Sequence, residues 1–152
     1  MDWKPGLIVR IKDYRFEDNG TTRDKYAIVL LTNDQELYLI HTLTTSQNHK
    51  GISAQHYGCA QYQHLPYFFI PAQQKIGDED FFFEKDTFIF FNQNIRKERF
   101  EQFIKAEQKL FGIVSLGQLH KEELKRLLKC ILKSDFLPRN LEIELRVFKE
   151  TL

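Results

Sequence analysis

The sequence predicts an α+β domain, with antiparallel strands in the first two-thirds and amphipathic helices in the last third. Three observations carry this. Aromatic residues make up 14% of the chain, with 14 Phe and 6 Tyr, and aromatic side chains favour the half-buried surface of a sheet. Alternating or continuous apolar runs recur up to residue 91, as strands require. Beyond residue 94 the apolar spacing becomes helical. A chain of 152 residues can bury about two-thirds of its unfolded surface in one core.

Taken in order, Pro5-Gly6 marks a turn before LIVRIKDYRF, where Val9 and Ile11 alternate with Arg10 and Lys12. A polar stretch from Glu17 to Asp24 holds the turn pair Asn19-Gly20. The run YAIVLL then reads as a central strand, and Leu37 to Ile40 returns as its hairpin partner after Asn33-Asp34. Tyr67 to Ile70 and Thr87 to Phe91 read as two more strands, with Phe81-Phe82-Phe83 between them as a short strand or an aromatic plug. Phe100, Phe103, Ile104 and Phe111 have near-helical spacing, and Leu124, Leu127, Leu128, Ile131 and Leu132 fit the helical template fully. Residues 1–152 are therefore read as a single domain. Residues 1–46 and 66–92 are mostly strands, 47–65 form a long polar loop, and 95–134 are helical. Residues 138–152 fit either periodicity and lean to strand.

Charge excludes little. The net charge of +1 divides into −3 for residues 1–94 and +4 for residues 95–152, a mild asymmetry that suits a solvated helix face. The two cysteines, Cys59 and Cys130, are sparse in the manner of a reducing compartment. The N-terminal residues resemble no signal peptide, and no apolar stretch is long enough to cross a bilayer. A cytoplasmic protein with no membrane partner is expected. The sequence contains no P-loop, nucleophile elbow or dinucleotide-binding glycine pattern.

Four groups of residues bear chemistry. The stretch HTLTTSQNH places His41, Thr44, Thr45, Ser46 and His49 directly after a predicted strand, where loops commonly carry function. His49, His56, Cys59 and His64 have half of a zinc-knuckle spacing but lack the paired C-x2-C. Asp78, Glu79 and Asp80, with Glu84 and Asp86, would suit a magnesium ion or simply a solvated turn. Arg10, Lys12, Arg15, Arg23 and Lys25, interleaved with Tyr14 and Phe16, offer cations for phosphates and rings for bases, as single-stranded RNA requires. The same charges would also guard an edge strand.

The stretch PGLIVRIKDYRFEDNGTTRDKYAIVLL resembles the opening of the MazF/PemK family of toxin endoribonucleases. Gly6, Asp13-Tyr14, Phe16, Gly20, and Lys25 followed by Ala27 to Leu30 fall in that family's order. Ile40 to Ser46 (IHTLTTS) stands where the family has a Thr/Ser motif. The resemblance covers residues 5–46, and 119–132 more weakly. It implies a small SH3-like antiparallel β-barrel with C-terminal amphipathic helices packed on it. It further implies cofactor-free, metal-independent cleavage of single-stranded RNA by 2′-hydroxyl attack, a homodimer, and an antitoxin partner. Lys25 and either Thr44 or Thr45 take the positions of the family's Arg and Thr, with Arg23 as a second cation. Arg10, Lys12, Tyr14, Arg15, Phe16, Ser46, His41 and His49 are the expected substrate-binding residues. The family's Arg-Pro pair reads Lys25-Tyr26 here, and an ammonium lacks the planar fork of a guanidinium. A catalytically inactive barrel that binds RNA or a protein is the competing expectation.

Overall fold

A computed structural model describes residues 2–15, 22–48, 51–52, 56–91, 94–103 and 112–152. Among these, eight strands form two antiparallel sheets. The larger contains β1 (Leu7–Arg15), β2 (Thr22–Asn33), β3 (Tyr38–Leu43), β7 (Ile95–Arg99) and β8 (Ile113–Gln118), in the order β7-β3-β2-β1-β8. The smaller contains β4 (Gly58–Tyr62), β5 (Leu65–Ile70) and β6 (Thr87–Phe90), in that order. Two helices close the chain, α1 (Lys121–Ile131) and α2 (Arg139–Glu150).

The pleat of the larger sheet explains its two cores. Ile8, Ile28, Leu30 and Ile40 face the smaller sheet and both helices, where they meet Phe68, Ile70, Ile89, Leu127 and Leu145. Val9, Ile11, Ala27, Val29, Leu39 and Leu43 face the other way and are covered by Trp3, Phe100 and Phe103. A register shift between Val29 and Leu31 interrupts the alternation and lets the adjacent Leu30 and Leu31 join one cluster. The smaller sheet is apolar on both faces, since Tyr67, Phe69, Phe88 and Phe90 form a third cluster away from the main core. This accounts for the unbroken apolar runs in β5 and β6. Gly6 turns the chain into β1 at φ +92°, and a Cβ there would stand 2.5 Å from Gln118 Nε2 and 3.2 Å from the Leu119 carbonyl. Only glycine suits that turn.

The expected elements need three corrections, and one open alternative is decided. The polar loop over residues 47–65 contains β4, and Ile52 beside it packs on the third cluster. Residues 95–134 are not one helical region. β7 and β8 are strands, residues 100–103 are helical, and residues 104–111 lie outside the described residues. The charged IRKER run forms a strand because it pairs with β3, with His41 opposite Arg96. Within the 138–152 tail, residues 139–150 form α2, whose Leu141 and Leu145 are buried at helical spacing, so the ambiguous alternation resolves as helix. The aromatic segment 81–83 is a plug. Phe83 is buried, and the Phe81 and Phe83 carbonyls accept hydrogen bonds from the Ile76 and Gln73 N–H groups.

Cys59 on β4 is disulfide-bonded to Cys130 on α1. The zinc-type constellation of His49, His56, Cys59 and His64 therefore loses its thiolate, and no metal-holding group of His, Cys, Asp and Glu occurs among the described residues. The cysteines thus no longer argue for a reducing compartment, because persistent disulfides belong mainly to oxidising ones. No described helix is long and apolar enough to cross a membrane.

Candidate functional site

The corner between the two sheets is made by Thr44 and Thr45. Thr44 ends the run of β3, where its N–H donates to the Tyr26 carbonyl of β2 at 3.0 Å. One residue later, Thr45 exchanges both main-chain hydrogen bonds with Phe88 of β6, at 2.9 and 2.8 Å. The chain therefore passes from the larger sheet to the smaller within a single peptide step.

A cleft of about 240 Å³ opens at this corner, lined by Asp24, Lys25, Tyr26, Thr44, Thr45, Ser46, Gln47 and Lys85. Strand β2 supplies the first three residues, the β3 exit the next four, and the loop ahead of β6 supplies Lys85. That loop is fixed by its own bonds. The Thr87 hydroxyl donates to the Lys85 carbonyl at 3.0 Å, and the Asp86 carboxylate accepts from the Ala72 N–H at 2.8 Å. The lining holds two ammonium groups and one carboxylate, so it favours an anion. Its volume lies below the roughly 300–1,000 Å³ of sites that enclose a drug-sized ligand. A phosphodiester and part of its sugar suit it better.

The hydroxyls of the corner differ in what they can do. Thr44 is buried, and its hydroxyl points to the same Tyr26 carbonyl as its N–H, at 3.5 Å. It holds the corner together. Thr45 is half-buried, and its oxygen accepts the Gln47 N–H at 3.1 Å. A hydroxyl that accepts in this way keeps its own proton to donate. Ser46 is exposed beside it.

The cationic strip lies next to the cleft. Arg10 stands directly opposite Tyr26 in the β1–β2 register, so the two side chains share a face. Arg10 Nε lies 3.7 Å from Asp24 Oδ2, an ion pair longer than a hydrogen bond. Lys12 falls in the stretch between Ile11 and Tyr14 where the β1–β2 register shifts.

Of the predicted site residues, the structure brings Lys25, Thr44, Thr45 and Ser46 into one cleft and sets Arg10 beside it. His41 does not join them. It is buried, its Nε2 lies 2.7 Å from Glu98 Oε2, and its ring packs against Phe103 at 4.8 Å. The hydrogen bond with His41 holds the Glu98 carboxyl below its ordinary range. This histidine is a core residue that secures β7 to β3, because it pairs inward on a strand whose alternation buries it. The side chains of Tyr14, Arg15 and Arg23, and residues Phe16 and His49, lie outside what the structure describes.

Sequence reasoning missed Asp24, Tyr26, Gln47 and Lys85. The first three adjoin residues that were singled out, so adjacency was their only signal. Lys85 had none, since 40 residues separate it from Thr45 and only sheet pairing joins them.

Two larger grooves suit an anion less. One, of about 530 Å³, sets Lys97 and Arg99 against Glu36 and Glu98, and Lys97 already meets Glu144 at 2.7 Å. The other, of about 400 Å³, carries Asp2, Asp78 and Glu79 against a single Lys4. Comparison with known protein families finds no model that matches this chain, and no curated protein matches it.

Proposed function

We propose that the corner cleft cleaves single-stranded RNA, with the scissile phosphodiester held between Lys25 and Lys85. One observation carries this reading. The residues implied by the MazF/PemK resemblance, Lys25 with Thr44, Thr45 and Ser46, line one anion-favouring cleft although β2 and the β3 exit are separate in sequence. The two antiparallel sheets, hinged at Thr45 and packed by C-terminal helices, are compatible with an opened SH3-like barrel. A homodimer and an antitoxin partner follow from the same reading and are proposed with it.

The chemistry needs a base, cations and an acid. Asp24 is the carboxylate of the cleft and takes the proton from the ribose 2′-hydroxyl. The 2′-oxygen attacks phosphorus, and the bond to the 5′-oxygen breaks. Negative charge grows on the non-bridging oxygens, where Lys25, Lys85 and the Thr45 hydroxyl stabilise it. The Lys85 ammonium gives its proton to the departing 5′-oxygen, leaving a cyclic phosphate and a 5′-hydroxyl. Two ammonium groups from different sheets here do the work of one forked guanidinium.

The test is incubation of the protein with a long mixed-sequence RNA in EDTA, with product ends mapped. Discrete cuts with 5′-hydroxyl ends, lost in Lys25→Ala, are expected. RNA that is bound but stays intact would favour the non-catalytic binding barrel.

A further inference from the structure

We propose that Tyr26 is a stacking platform for the nucleobase adjoining the phosphate in the corner cleft, and that Arg10 receives the next phosphate along the strand. This rests on the cleft being a single-stranded nucleic-acid site, and it adds where the base sits and which residue takes the next phosphate.

Tyr26 lines the cleft and is 37% exposed, an unusual position for a ring in the middle of a long strand. It is also held in place. Its ring meets Phe83 edge-on at 5.9 Å, and Phe83 meets Phe81 edge-on at 5.3 Å. Phe83 itself is buried and fixed by the Gln73 N–H bond to its carbonyl. A ring braced at its edge and open to solvent loses little conformational freedom when a base covers it, and base–aromatic stacking tolerates any sequence because every base has a π-face.

The charges around the ring set the path of the strand. Lys25 and Lys85 line the cleft together with Tyr26, and Arg10 lies opposite Tyr26 across the β1–β2 pair. The Arg10 side chain is 34% exposed, its Nε is buried without a hydrogen-bond partner among the described residues, and its Asp24 contact is only an ion pair at 3.7 Å. A guanidinium has five donors, so Arg10 keeps donors for a phosphate. Cations both in the cleft and across the strand pair from the ring suit the phosphates that adjoin a stacked base.

The test uses binding, so that it stands apart from cleavage. A fluorescently labelled 2′-deoxy octanucleotide, which lacks the attacking hydroxyl, is titrated against the wild type, Tyr26→Ala and Tyr26→Trp. A matched set of octanucleotides carries one abasic residue at each position in turn. Tyr26→Ala is expected to weaken binding about five- to a hundredfold, while Tyr26→Trp holds or tightens it. One abasic position should weaken the wild type by a similar factor and leave Tyr26→Ala unaffected. Competition by inorganic phosphate should be equal for wild type and Tyr26→Ala. Unchanged affinity in Tyr26→Ala, or wild-type indifference to every abasic position, would overturn the platform and leave the cleft reading standing. Failure of the wild type to bind any octanucleotide would overturn both. Should Tyr26→Ala fail to fold, the abasic series on the wild type decides.

Discussion

Two junctions join the smaller sheet to the rest of the molecule, and they are built in opposite ways. At the α1–β4 seam, the Cys59–Cys130 disulfide is reinforced by polar contacts on the same two elements. The Tyr57 hydroxyl donates to Glu123, Arg126 pairs with Glu123 at 2.9 Å, and the Arg126 guanidinium lies over the Tyr57 ring at 4.3 Å. Burial and the Glu123 hydrogen bond together push the Tyr57 phenol far up, so it remains a donor at any ordinary pH. At the β3–β6 corner, main-chain bonds between Thr45 and Phe88 join the two sheets. The seam satisfies its polar groups internally, whereas the corner turns lysines, hydroxyls and a ring toward an open cleft. On the proposed reading, stability is concentrated at one junction and ligand binding at the other.

The comparison breaks most sharply at the disulfide. Closing a loop over a separation of 71 residues contributes about 4 kcal/mol in the chain-entropy description. Removing it in Cys59→Ala/Cys130→Ala should lower Tm by roughly 8–15 °C. An unchanged Tm, with free thiols found by alkylation in the wild type, would remove the seam's covalent element. The cleft should behave in the contrary way. Lys85→Ala should reduce RNA cleavage by about a hundredfold while unfolding within about 0.5 kcal/mol of wild type. A large loss of stability with activity retained would reverse the assignment of the two junctions.

Smaller effects sharpen the picture. Tyr57→Phe deletes the donor to Glu123 and should cost about 1–2 kcal/mol, measured by denaturant unfolding, with no change in RNA affinity. Glu144 tests a third contact, between α2 and the larger sheet. It accepts from Tyr38 at 2.5 Å and from Lys97 at 2.7 Å. Burial alone would raise its carboxyl, but the hydrogen bonds from Lys97 and Tyr38 outweigh burial and hold it below the ordinary 4.5. A depressed carboxyl stabilises the fold fully above its unfolded value and loses that contribution as pH falls through the folded one. Glu144→Gln should therefore cost under about 1 kcal/mol at pH 7, and the difference from wild type should fade as the pH falls below 4.5. A difference that persists at acid pH would mean packing, not charge, is what Glu144 supplies.

How much of this was legible in the sequence follows from which contacts are local. Strands β1, β2 and β3 were readable because Val9, Ile11 and the YAIVLL run carry their own period, and α1 because Leu124, Leu127, Leu128 and Ile131 do. β7 was not, since Arg96, Lys97 and Arg99 form a strand through pairing with β3 and not through any local preference. The tail 138–152 carried a pattern that fits both periods, and burial of Leu141 and Leu145 decides for helix. In the cleft, Lys25, Thr44, Thr45 and Ser46 were named from the order of residues. Lys85 was invisible because only the Thr45–Phe88 bridge brings it there. His41 had the same surface signal as Thr45 and Ser46, but it lies inside β3, where every residue from Leu39 to Leu43 is buried.

The central claim is that single-stranded nucleic acid sits where the two sheets meet. Amide chemical-shift mapping of the full chain with a non-cleavable 2′-deoxy oligonucleotide tests it most directly. The account predicts shifts concentrated at Lys25, Tyr26, Thr45, Ser46 and Lys85, which come from both sheets and converge only at the corner. Shifts confined to α1 and α2, or absent at saturating oligonucleotide, would contradict it.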